Sequence, residues 1–184
     1  MAGRWEDVAT MLVAERGDAL LRYATLVSGR PEHAADLVQD ALVKTFSRFG
    51  SGFTVPGAEA YVRRTILTLH LDAGRRRSRW HRIAHLAMEP EASESGAAAT
   101  EARLDLFRVL RTLTPRERAC VVLRYYDDLM VDDIARELEI SAGAVKRYLS
   151  DALHKLAVAL TPPEGTTGSG PTARREDEGA RDAH

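Results

Sequence analysis

The sequence is poor in the groups that sustain most covalent and redox chemistry. Its 184 residues hold one cysteine, Cys120, so no intrachain disulfide can form. That fits a reducing compartment. Cys120 lies in an apolar stretch and reads as packing rather than redox sensing. No apolar run approaches the roughly 20 residues of a membrane span. The N-terminal stretch MAGRWEDVAT lacks an apolar signal core, so a cytoplasmic location without membrane insertion is expected. There is no Gly-rich phosphate loop and no arrangement of Ser, His and Asp suggesting a nucleophile. His81 and His85 have i, i+4 spacing, but no Cys or carboxylate of matching spacing lies near them. No metal, cofactor or enzymatic activity is expected.

Long β-branched runs are also missing, while Ala, Leu, Arg and Glu dominate, so an all-α fold is expected. Net charge is nearly absent, at −1. The sum hides a strong asymmetry, which bears more directly on nucleic-acid binding. Residues 60–85 hold seven arginines (63, 64, 75, 76, 77, 79 and 82) against the single acid Asp72. Residues 86–101 hold four glutamates and no base, and the tail from Thr161 holds five acids and three arginines.

Glycine and proline punctuate the chain into blocks. A first helical block, 6–86, breaks at Ser28-Gly29-Arg30-Pro31 and at Gly50 to Gly57. Helices are expected near 6–28, 31–49 and 57–77, with a short piece at 79–86. A flexible acidic linker, 87–103, has small residues and no apolar period. A second helical block follows at 104–160. Thr161-Pro162-Pro163 opens a tail, 161–184, of disordered composition. The expectation is two small helical domains joined by a linker, each of modest stability alone.

In the second block, Thr114-Pro115-Arg116-Glu117 is a helix start: Thr114 caps, Pro115 fits the first position, and Glu117 reaches back to the cap. MVDDIARELEI presents Ile134, Ala135 and Leu138 on one face. After a short turn Ser141 caps a further helix, with Val145, Leu149, Ala152 and Leu156 in one buried stripe. Ala142, Lys146, Arg147 and Ser150 lie opposite. A short helix, a tight turn and a second helix with bases near its start suit the major groove. By pattern alone a plain helical hairpin with a solvated basic face fits equally well.

The string LTPRERACVVLRYYDDLMVDDIARELEISAGAVKRYLSDALHKL resembles the promoter-reading region 4 of bacterial sigma factors. Response regulators of the LuxR type share a similar helix-turn-helix, so the first block decides. Within PEHAADLVQDALVKTFSRF, the run ADLVQDALVKTF resembles region 2.1–2.2 of extracytoplasmic-function (ECF) sigma factors. Its apolar face is Leu37 or Val38, Ala41, Leu42, Thr45, Phe46 and Phe49. AYVRRTILTLHLDAGRRRSRWHR, residues 60–82, is similar to region 2.3–2.4, which reads and melts the −10 element. The Ala/Arg-rich composition and the AYVRRT string look most like the actinobacterial SigE-type group.

The resemblance spans about Glu15 to Leu160. It implies a factor that directs core RNA polymerase to promoters and assists −10 melting. Asp36, Gln39 and Asp40 fall on the positions that dock on the β′ clamp helices, and the β flap and an anti-sigma factor are implied as further partners. Ser51, Phe53, Tyr61, Arg64, Thr68, Arg75 and Arg76 fall on the −10 DNA side. Ser141, Ala144, Lys146, Arg147 and Ser150 fall on the −35 side. Arginines neutralise phosphate, and Tyr61 and Trp80 offer stacking faces, with core packing as the alternative for both. The loop 50–57 corresponds to the pocket for a base flipped from the duplex. The linker glutamates correspond to a segment threading toward the RNA exit path. Two positions depart from the family: Thr68 stands where Asn is usual, and Asp151 where Arg is frequent. An acid there either points aside or accepts from a cytosine amino group. Two rival readings remain. One is a helix-turn-helix regulator that does not replace sigma, and the other is a helical protein-interaction module.

Overall fold

The computed structural model describes residues 5–47, 54–83 and 101–160, with the side chains of 81–83 and 101–104 left aside. Within these residues there are seven α helices and no strand. They are α1 (Trp5–Ser28), α2 (Ala34–Phe46), α3 (Val55–Ile83), α4 (Glu101–Arg111), α5 (Pro115–Tyr125), α6 (Val131–Leu138) and α7 (Ala142–Leu160). A 3-10 turn, Pro31–His33, precedes α2. No helix among the described residues is long and apolar enough to cross a membrane.

Helices α1, α2 and α3 pack together as the first bundle. Val8 and Leu12, with Leu20, Tyr23, Ala24 and Val27 at i, i+3, i+4 and i+7, lie on the buried face of α1. Gly29 ends that helix at φ +67° and donates its N–H to the carbonyl of Thr25 at 2.8 Å. Glycine adopts this left-handed closure without a Cβ penalty. Helix α2 buries Ala34, Val38, Ala41 and Thr45, with Leu37, Leu42 and Phe46 partly covered. Phe49, expected on the same face, lies outside the described residues.

Helix α3 differs from the sequence expectation. It is one 29-residue helix, not a helix to 77 and a separate piece at 79–86. It starts two residues early because Thr54 accepts the Gly57 N–H at its side chain and Pro56 falls within the first turn, where no N–H is needed. The arginine run does not break it, since arginine is a good helix former.

In the second block α5 begins with the expected capping box. The Glu117 N–H donates to Thr114 Oγ1 at 3.3 Å, and the Thr114 N–H donates to Glu117 Oε2 at 2.8 Å. Helix α6 closes at Glu139, a non-glycine residue at φ +53°. On α7 the expected stripe is inward: Val145 and Ala152 are buried, Leu149 and Leu156 half-buried. Helix α4 was not expected as an element. It begins at Glu101, so the acidic segment ends before 103, and it buries Phe107 and Leu110 with Leu113 and Ala152.

The two halves share one apolar cluster. Leu20, Tyr23 and Ile66 of the first bundle belong with Cys120, Leu123, Ile134 and Val145 of the second. Helix α5 packs on both α1 and α3. A Cβ on Gly74 of α3 would come within 2.8 Å of the Pro115 ring, so glycine permits the close approach.

Candidate nucleic-acid interface

The expected −10 residues sit on α3 and along the seam with the second half. Arg64 Nε lies 3.6 Å from Glu137 Oε1 on α6, and its neighbour Arg63 is ion-paired with Asp127. The Arg63 guanidinium also stacks 4.3 Å from the Tyr23 ring centre and 5.5 Å from that of Tyr126. Burial pushes the Asp127 carboxyl above its ordinary range, although Arg63 opposes the shift. Thr68 is exposed and donates to the Arg64 carbonyl at 2.9 Å. Arg64, Thr68 and Arg75 line a cleft of about 540 Å³ that also carries Glu137, Glu139 and Tyr148. Arg75 is paired with Asp72 one turn back, and Arg76 is exposed. Trp80 is 70 % exposed, so core packing is not its role, whereas Tyr61 is half-buried. Ser51 and Phe53 lie outside the described residues.

The expected −35 residues cluster at the start of α7. Ser141 Oγ accepts the Ala144 N–H at 3.1 Å and so caps the helix. Lys146, Arg147 and Ser150 are exposed, whereas Ala144 is half-buried. Asp151 is also exposed, beside Ser150 and His154 in a shallow cleft with Lys155 and Glu117. On α2, Asp36, Gln39 and Asp40 are exposed opposite the buried Val38 and Ala41.

This arrangement matches a known architecture. Residues 103–156 match the family described as sigma-70, region 4. An RNA polymerase sigma-E factor of Streptomyces avermitilis is 35% identical over 154 residues, covering 80% of this chain and 82% of that protein. The chain belongs to the RNA polymerase sigma-E factors, of the ECF class. The sigma-E factor of Streptomyces coelicolor is 36% identical over 154 residues, with 80% and 83% of the two chains covered. A solved structure described as a complex of the sigma factor RpoE with the anti-sigma factor NepR from Bartonella quintana has the same fold. Its TM-score is 0.57 at 22% identity, covering 80% of this chain and 93% of that one. This sigma factor therefore works with RNA polymerase and promoter DNA in transcription initiation. Sigma factors act in the cell interior and are not known as an enzyme family.

Several residues at the centre of the sigma factor carried no local motif. Arg118 is buried and donates to the carbonyls of Leu110 at 2.7 Å and Leu113 at 2.9 Å, and also to that of Ser28. One guanidinium thus ties the α4–α5 turn to the end of α1. The available signal was its place in an apolar stretch, one turn before Val122. Burial, followed by Arg30, Arg77 and Arg111, brings its pKa down to about 10. His70 is 5% exposed, and burial together with Arg118 and Arg77 brings its imidazole down to about 4.

Proposed function

We propose that this sigma factor docks on the β′ clamp helices of core polymerase through Asp36, Gln39 and Asp40. We assign residues 6–86 to core and −10 engagement and 104–160 to −35 recognition and the β flap. The observation that carries the docking face is the surface of α2. There Val43, 63 % exposed, stands one turn after Gln39 and Asp40 and two turns after Asp36. An uncovered apolar side chain flanked by polar ones is a surface suited to a partner.

On the DNA side, Arg64, Arg75 and Arg76 neutralise phosphates of the −10 region, and Thr68 and Tyr61 face its bases. Ser51 and Phe53 are assigned to binding an unstacked base, so that melting is driven by binding. Lys146, Arg147 and Ser150, with Ser141 and Ala144 at the α7 start, enter the −35 major groove. Arg64 is paired with Glu137 in this conformation, so −10 engagement requires the two halves to separate at that point. An anti-sigma factor that holds the factor away from polymerase fits the same surfaces. The factor is a cytoplasmic, non-enzymatic protein.

The test is run-off transcription with core polymerase, with and without the full chain, on promoter DNA. A specific transcript is expected only with the chain, and its absence despite folded protein would overturn the reading. Asp36→Ala with Gln39→Ala should weaken core affinity by about tenfold or more, as loss of interface anchors does, and leave affinity for −35 duplex unchanged. Unchanged core affinity would remove the assigned docking face.

A further inference from the structure

A second cleft, also of about 540 Å³, opens between the end of α1, the C-terminal half of α3, and the α4–α5 turn. Among the described residues its lining carries Arg30, Arg77, Arg111 and Arg118 with the imidazole of His70, and no carboxylate. We propose that it binds a small phosphate-bearing anion of nucleotide size.

Charge separates this cleft from its neighbour. The Arg64–Thr68 cleft has the same volume but carries Glu137 and Glu139 against its bases. Here four guanidiniums line one cleft with no acid among the described lining residues. Arg30, Arg77 and Arg111 make no ion pair with described residues, and each guanidinium nitrogen of Arg118 donates to a backbone carbonyl. Backbone carbonyls accept from three of its five N–H groups and leave its net charge uncompensated. Uncompensated charge in a partly desolvated site is costly, and a multivalent anion relieves it.

The floor supplies the second observation. His70 is 95 % buried, and its Nε2 has no hydrogen-bond partner among the described residues. Buried ring nitrogens normally find one. A phosphate oxygen that reaches the Nε2–H of the neutral ring satisfies that atom. Ser78 adds an exposed hydroxyl to the lining. The volume lies within the range of about 300–1,000 Å³ typical of small-molecule sites, larger than a single phosphate requires. Arginine geometry also favours phosphate, through paired N–H donors.

The ligand would bridge the two halves. Arg30, His70 and Arg77 come from the first and Arg111 and Arg118 from the second, so an occupied cleft favours the docked arrangement. By linkage, whatever separates the halves weakens the anion.

Calorimetry on the full chain, titrated with magnesium-free pyrophosphate and ATP, tests this. Binding is expected, with His70 ring resonances shifting on addition. Arg77→Ser with Arg111→Ser replaces two rim arginines that do not hold the core and should weaken binding about tenfold or more. Arg79→Ser with Arg108→Ser removes two exposed arginines outside the cleft and should change it less than about threefold, the weak effect of remote screened charge. Failure of both anions to bind at millimolar concentration, or equal loss in the two double variants, overturns the proposal. Displacement of pyrophosphate by duplex DNA with the same arginine dependence would assign the cleft to the DNA backbone and also overturn it.

Discussion

Arg64 Nε lies 3.6 Å from Glu137 Oε1, and this pair joins the basic helix α3 to the first helix of the helix-turn-helix. The Arg64 side chain is about half exposed, so the pair contributes little by itself. The neighbouring Arg63–Asp127 pair is more enclosed and is backed by two tyrosine rings. Both pairs must open in the separation that we propose for −10 engagement. Asp127→Ala with Glu137→Gln should raise the separated population about tenfold, the effect of losing one partly buried charged hydrogen bond. Spin labels at exposed Ala35 and Leu153 would report this as a longer inter-label distance in pulsed dipolar spectra. An unchanged distribution would show that the apolar cluster alone holds the halves together.

Gly29 should tolerate no side chain. Its φ is +67°, and a Cβ would meet the Arg118 guanidinium carbon at 3.0 Å. The left-handed backbone alone costs alanine about 1 kcal/mol. The same methyl displaces Arg118 from the Ser28 carbonyl, so Gly29→Ala should destabilise by more, about 2 kcal/mol in total. Chemical denaturation checks the value. A loss below about 0.5 kcal/mol, within the range of ordinary surface changes, would mean that Arg118 shifts freely.

What the sequence made legible was local. The Thr114–Glu117 capping box, the α7 stripe and the outward Asp36, Gln39 and Asp40 all follow from spacing within one or two turns. The continuous α3 was missed because an arginine run reads as a boundary, although arginine propagates a helix well. The pairing of Arg63 with Asp127 was not legible, because 64 residues separate them and no period links their positions. Arg118 and His70 were hidden for the same reason: their environment is made by helices that meet only in the fold.

His70 predicts a pH dependence of folding. Its imidazole titrates near 4 in the folded chain against an ordinary 6.5, mainly because burial penalises the charged form. Between those values the unfolded chain binds a proton that the folded chain does not. Stability is therefore complete above about pH 6.5 and falls as the pH drops towards 4, by on the order of 2–3 kcal/mol from this residue. His70→Leu removes a ring nitrogen that has no partner, so at pH 7 it should cost little. Denaturation midpoints of the variant in phosphate-free buffer should fall less steeply with acid than those of the parent. Parallel curves would show that His70 does not titrate in this window.

Lys155 anchors α7 to the start of α5 by donating to both carboxylate oxygens of Glu117 at 2.8 Å. Glu117 is 5 % exposed and also accepts the Thr114 N–H. Burial pushes its carboxyl up, but Lys155 and the Thr114 N–H outweigh this and hold it below the ordinary range. That stability is present above the usual glutamate pKa and is lost as the pH falls through the lower folded value. Lys155→Met keeps the aliphatic stem and removes the cation, leaving a buried carboxylate supported by one backbone donor. The cost should be about 1–2 kcal/mol at pH 7, below that of a fully buried pair because Lys155 is partly solvated. Glu117→Gln in the same background should recover part of it by removing the unpaired charge. Thermal unfolding of the three variants checks the order. Equal melting temperatures for Lys155→Met and the double variant would show that solvent, not Lys155, neutralises Glu117.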